Sequence, residues 1–389
     1  MPRRRRRAPL YVAAAVAFAL CPSGASAVGS PAESAPSAGA SGATARSGLR
    51  PASSDVAVPF VREPARGLAR RSRTPQKPTP GPASGRVVDF AQTSFYYDDI
   101  SRAPLDPDSA GIAANVAAQV ANHWGGVAAF NAHQWNATFY RVDRATPAVT
   151  VKWNNCFKWD WTPADLFGGA KHFVDVRIPA LAQAAQGSDG TMAIYDADTD
   201  TLWEFWQMRK DATGSWSACW GGRIDDVSRS NGQHAARYGV AASGLAIAGG
   251  LISAAEVRRG QIDHAMYLGV IEARYFTELS WPATRSDGYT KNPYTPMEGQ
   301  RLRLDPSLDV DSLRLSRFAT MVAKAAQKYG FIVSDKGGAV ALIGEAGQSL
   351  AATTGTNPWP ELLREADHAV LKGFPWNRLQ ALPRDYGKR

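Results

Sequence analysis

Residues 193–205 read AIYDADTDTLWEF. Two apolar runs, Ala193–Tyr195 and Leu202–Phe205, flank Asp198, Thr199 and Asp200. Aspartate and threonine favour turns because their short side chains bond to nearby backbone. The stretch therefore predicts a β-hairpin. FIVSDKGGAVALI (331–343) has the same form around Lys336-Gly337-Gly338 and predicts a second hairpin. Working outward, further short runs read as strands: ATFYRV (137–142), AVTVKW (148–153), HFVDVRI (172–178), WSACWGG (216–222), IDHAMYLGVI (262–271) and RLRLD (301–305). Two segments have helical spacing. Ser109–His123 carries Ile112, Val116, Val120 and His123 on one side; Val310–Tyr329 carries Leu313, Leu315, Phe318, Val322, Ala325 and Tyr329, with Gly330 as its stop. Many strands with few helices between them argue against a doubly wound α/β fold. The expectation is a mainly β domain, a β-sandwich or jelly roll with a few peripheral helices.

Residues 1–27 have the layout of a secretory leader: five arginines, a short apolar run, then Ala25-Ser26-Ala27 before the expected cleavage. The run is too short to span a bilayer. Residues 28–85 are rich in Ala, Ser, Pro, Gly and Arg and read as a disordered spacer. Residues 86–389 read as one globular domain. Thirteen of the 44 basic residues and three of the 35 acidic ones lie in residues 1–85, leaving 31 against 32 in the domain. The overall charge of +9 thus belongs to the leader and spacer, and nucleic acid is not an expected partner. In an oxidising compartment, Cys156 and Cys219 are expected to form a disulfide. A secreted monomer follows.

Strand side chains alternate between faces. Leu202, Glu204, Trp206 and Met208 share one face of TLWEFWQM (201–208), so Glu204 reads as a carboxylate held against an aromatic floor. Partial desolvation raises such an acid toward the range of a general acid. If WSACWGGRID pairs with this strand, Trp216 and Trp220 join the same surface. The polar segment that follows carries Arg223, Asp225, Asp226, Asn231 and His234. In the 262–271 strand, Ile262, His264, Met266, Leu268 and Val270 share one face, while Asp263 and Tyr267 take the other. Arg285 and Asp287 fall in a loop, Glu298 precedes RLRLD, and Arg303 and Asp335 read as structural pairing. No His-Glu-x-x-His occurs, the six histidines scatter, and Gly-Lys-Ser/Thr is absent. No cofactor or metal is expected.

Between about residues 186 and 345 stand TLWEFW, WGGRIDDVS, ASGLAIAGGLI, GQIDHAMYL, WPATRSDG, EGQRLRLDP and QKYGFIVSDKGG. As a set they resemble a group of exported bacterial proteins of unassigned function. The richness in small residues and arginine is similar to an actinobacterial composition. The resemblance implies export and no particular activity.

All twelve tryptophans lie between Trp124 and Trp376. Sugars stack their C–H faces on aromatic rings, and carboxylates hold their hydroxyls. The expected function is a secreted glycoside hydrolase acting on a polysaccharide or cell-envelope glycan. Glu204 is its acid or nucleophile, with Asp225, Asp226 or Asp263 as partner and His264 as a further acid or base. Trp206, Trp216, Trp220, Arg223, Tyr267 and Asp287 bind substrate. A lyase would use Arg223, His264 and Tyr267 for charge neutralisation and proton removal. A carbohydrate-binding or envelope protein without turnover keeps the aromatics and needs no acid pair.

Overall fold

A computed structural model describes residues 81–167, 172–235 and 238–388. The leader lies outside these residues, as does the spacer up to residue 80. The described part is mainly β: fifteen strands in four sheets.

The larger sheet has six strands, in the spatial order Ala129–Asn131, Ala341–Ile343, Met266–Val270, Phe331–Lys336, Arg301–Leu304 and Leu379–Ala381. The second has four: Trp220–Ile224, Thr201–Trp206, Thr191–Asp196 and Ala137–Val142. The 193–205 hairpin forms as read, with Asp196 opposite Thr201 and Ala193 opposite Glu204. Asp200 closes its turn in the left-handed region (φ 51°), and its carboxylate accepts from the Tyr195 hydroxyl at 2.7 Å.

The 331–343 hairpin does not form. Met266–Val270 sits between its two expected arms, parallel to 331–336 and antiparallel to 341–343. This strand is almost wholly buried, and the centre of the sheet satisfies its backbone on both sides. The expected 310–329 helix is also broken. A short 3-10 turn, Val310–Leu313, ends at Arg314 in the left-handed region, and the α-helix is Arg317–Lys328. Ser316 caps that helix through the Ala319 N–H, a local bond that competes with continuing the earlier turn. The first helix runs Ser109–Ala121.

The expected strand WSACWGG divides at Cys219. Trp216–Ala218 enters a three-stranded sheet with Lys152–Trp153 and Arg209–Lys210, while Trp220–Ile224 pairs with 201–206. Cys219 is disulfide-bonded to Cys156, with Cα atoms 5.6 Å apart. Four strand pairings are parallel, which a purely antiparallel jelly roll does not contain.

Three cores account for the apolar faces. One lies between the six-stranded sheet and the helices Ser109–Ala121, Arg317–Lys328 and Trp359–Leu363. The middle core joins Phe139, Tyr195, Leu202 and Ile224 of the four-stranded sheet to Tyr267 and Ile332 of the six-stranded sheet, with Leu245–Leu251 between them. The third covers the other face of the four-stranded sheet, with Trp203, Phe205, Trp216 and Trp220. The 201–206 strand therefore has an apolar core on each side, which is why both of its faces carry large side chains.

Candidate active site

Glu204 is fully buried in the middle core. Its carboxylate accepts from the Ile247 and Ala248 N–H groups, each at 3.0 Å, and lies 2.9 Å from His234 Nε2. The acid thus ties down the start of the short helix Ile247–Gly250. His234 fits because its neighbours Gly222 and Gly239 have no side chains; a Cβ on either would strike the imidazole. Tyr96 and Tyr267, also fully buried, bring their hydroxyls together at the Ala246 carbonyl; with one proton each, one donates to that carbonyl and the other to its neighbour's oxygen. Glu204 is a satisfied hub inside the core and lines no groove.

The other expected site residues do not gather around it. Asp225 is on the opposite face of the sheet, exposed, and paired with Arg223 at 2.7 Å; Arg223 also covers the Trp203 ring at 5.6 Å. Asp226 is exposed in a left-handed turn (φ 49°). Asp263 pairs with Arg259 at 2.7 Å. His264 is buried 3.3 Å from the Glu256 carboxylate; burial alone would lower its pKa, but Glu256 holds it above the ordinary value. Arg303 bonds to Gln380 and to the Ile100 carbonyl.

A different set of acids converges. Arg285, Asp287, Glu298 and Asp335 come from two loops and a strand end, and the three carboxylates all act electrostatically on Arg285. Arg285 Nη2 donates to the Gly239 and Ala241 carbonyls at 2.9 and 2.8 Å, which fixes it in the loop after His234. Glu298 is fully buried and leans on Asp287, another acid, for its hydrogen bonding. Burial, then the nearby Asp287 carboxylate, pushes Glu298 well above the usual carboxylate range. Burial, then Asp287, pushes Asp335 up to about 7, although the Ala242 N–H donates to it at 3.1 Å. Asp287, with its side chain 13% exposed, faces Lys336 Nζ at 3.6 Å. Two further buried hydroxyls next to this set, Ser243 and Ser334, lack partners.

An aromatic wall stands beside Asp189. Asp189, whose charge also raises Asp335, accepts from Trp206 Nε1 at 3.3 Å. Trp206 stacks on Phe157 (5.6 Å between centroids), Phe157 on Trp159 (4.5 Å) and Trp159 on Trp161 (4.6 Å). Trp220 meets Trp159 edge-on at 5.6 Å. Trp216 is buried under Lys210 in the neighbouring small sheet. The disulfide fixes the Phe157–Trp161 segment to the start of the 220–224 strand.

Chemically, the cluster offers an acid poised near neutral pH, a second carboxylate beside a lysine, and a fixed guanidinium. Perturbed acids in such a setting mark candidate sites for proton transfer. Sequence reasoning selected Asp287 and noted the other three, but had no signal that their segments meet. Among the described residues, no group of three His, Cys, Asp or Glu side chains is arranged to hold a metal ion. No helix among them is long and apolar enough to cross a membrane. No family model, curated protein or solved structure matches the chain.

Proposed function

We propose that the chain is an exported, polysaccharide-active enzyme, a glycoside hydrolase whose working carboxylates are Asp335 and Asp287. The observation that carries this reading is the meeting of Asp287, Glu298 and Asp335 around Arg285, with burial holding Asp335 up to about 7 and with Asp189, which acts on Asp335, bonded to the first ring of the aromatic wall. A general acid works best when its pKa lies near the operating pH. Asp335 would protonate the glycosidic oxygen as its bond to the anomeric carbon breaks. Asp287 would activate water or attack that carbon, and the spacing of the two carboxylates sets which. Arg285 supplies a positive charge close to both. The proton-transfer role thus moves from Glu204 to Asp335. The leader pattern and the disulfide support export, and the core shared by the two larger sheets supports a sandwich.

A second reading, an envelope glycan-binding protein without turnover, is favoured by the Phe157–Trp159–Trp161 stack, whose outermost ring is 43% exposed. The full chain should be screened on plant and bacterial polysaccharides for new reducing ends and for ultraviolet absorbance from new double bonds. The expected result is reducing ends without absorbance, lost in Asp335→Asn. Absorbance would make the chain a lyase. Retention on a glycan with no product would leave only the binding protein.

A further inference from the structure

Trp124 and Trp135 are 73% and 53% exposed, although tryptophan is on average a highly buried residue. Both have φ of 50°, a left-handed conformation unfavourable for a bulky residue. Both are nonetheless held in place. Trp124 Nε1 donates to the Gly338 carbonyl at 2.7 Å. The Trp135 N–H donates to the Gln186 carbonyl at 2.9 Å, and its own carbonyl accepts from Asn131. Its indole lies against Gly187, where a Cβ would come within 2.8 Å of the ring.

The two loops that hold these rings also serve the acid cluster. Gly338 is two residues beyond Lys336, which faces Asp287 and covers the ring of Tyr289, itself 56% exposed. Gly187 is two residues before Asp189, whose charge acts on Asp335. Strain and exposure are thus spent twice, each time against a loop that also carries a charge acting on the cluster.

Resting on the hydrolase reading above, we infer that Trp124 and Trp135 are sugar-stacking platforms, anchored on the two loops whose Lys336 and Asp189 act on the acid cluster. The occupant is the interior of a polysaccharide chain lying across it, so cleavage is internal to the polymer. Each ring is held before the chain arrives, so little ordering entropy is lost on binding.

The test uses the full chain, with Trp124→Ala, Trp135→Ala, Trp124→Phe and Asp335→Asn. Affinity electrophoresis in xylan, polygalacturonate, soluble β-glucan and glycol chitin measures binding, and viscosity loss measures internal cleavage. Each alanine variant should weaken retention by the preferred polymer roughly three- to tenfold, an effect of the order of one aromatic contact. The phenylalanine variant should keep most of the affinity, and Asp335→Asn should bind like the wild type. Trp124→Gly should melt no lower than the wild type, because glycine relieves the left-handed strain; a lower melting temperature would make Trp124 structural and overturn the inference. Unchanged retention in both alanine variants, or a wild type retained by none of the polymers, would overturn it as well. Binding that depends on the tryptophans without any product would sink the hydrolase and leave the platforms. Turnover lost in Asp335→Asn but unaffected by either alanine change would do the reverse.

Discussion

Glu204 and Glu298 are both fully buried carboxylates, yet their surroundings are opposite. Glu204 meets two backbone N–H donors and a histidine. Glu298 meets other acids, and the group it bonds to, Asp287, is itself a carboxylate. A buried charge is tolerated when it is paired and hydrogen-bonded; otherwise the group keeps its proton or costs stability. The first arrangement is what a fold does with an acid it uses as an internal strut. The second is retained at a cost, and such costs concentrate where proton transfer or binding occurs.

The contrast is broken most directly at Glu204. Glu204→Ala strands two amide N–H groups and an imidazole in the core, and should cost about 3–5 kcal/mol of stability. Urea unfolding of the variant measures this. A loss of under about 1 kcal/mol would mean that Glu204 is no strut, and the distinction drawn from its donors would fail.

Asp335→Asn should behave differently. The folded chain holds the Asp335 proton to about pH 7, whereas an unfolded aspartate releases it near 4. Between those values the folded state binds more protons, so this group's contribution is full below pH 4, falls as pH rises, and is gone above 7. The half-buried position limits the change to about 1–2 kcal/mol. Asparagine should therefore flatten the decline between pH 5 and 8 without destabilising the protein at pH 8. Glu345, also held near 7 by burial, titrates in the same window, so the effect is the difference between variant and wild type. Identical pH profiles for the two proteins would remove Asp335 from the poised group.

Local features were legible in the sequence and long-range ones were not. The 193–205 hairpin depends on a turn of a few residues, and its alternation correctly set Glu204 apart from Trp203 and Phe205. Alternation cannot tell a groove from a second core, because either makes a face apolar. The clue lay in Gly222 and Gly239, whose missing side chains make room for His234, but glycines at that spacing have many uses. The 331–343 segment had equally good turn chemistry and still failed. A strand some 60 residues earlier in the chain entered between its arms, and no local pattern encodes that insertion. The acid cluster has the same origin. Arg285, Asp287, Glu298 and Asp335 look like ordinary loop charges until the sheet brings them together, so Asp335 read as structural pairing. Trp216 and Trp220 were split by a bend at Cys219, the residue whose disulfide had been read from compartment chemistry alone.

The smallest expected effect belongs to Asp225, one of three carboxylates the sequence offers as partner for Glu204. Its carboxylate is 59% exposed, lies across the sheet from Glu204, and gains only a short-range pair with Arg223 and a long contact, 3.3 Å, with Thr201. Surface pairs of this kind contribute little, because water screens them and two side chains must be ordered to form them. Asp225→Asn should leave the melting temperature within about a degree of the wild type. On the hydrolase reading it should also leave turnover unchanged, while Asp335→Asn loses on the order of a hundredfold or more. Equal losses in the two variants would place chemistry on the outer face of the 220–224 strand, return Asp225 to the site as the sequence had it, and remove the claim that the Asp335 cluster alone carries turnover.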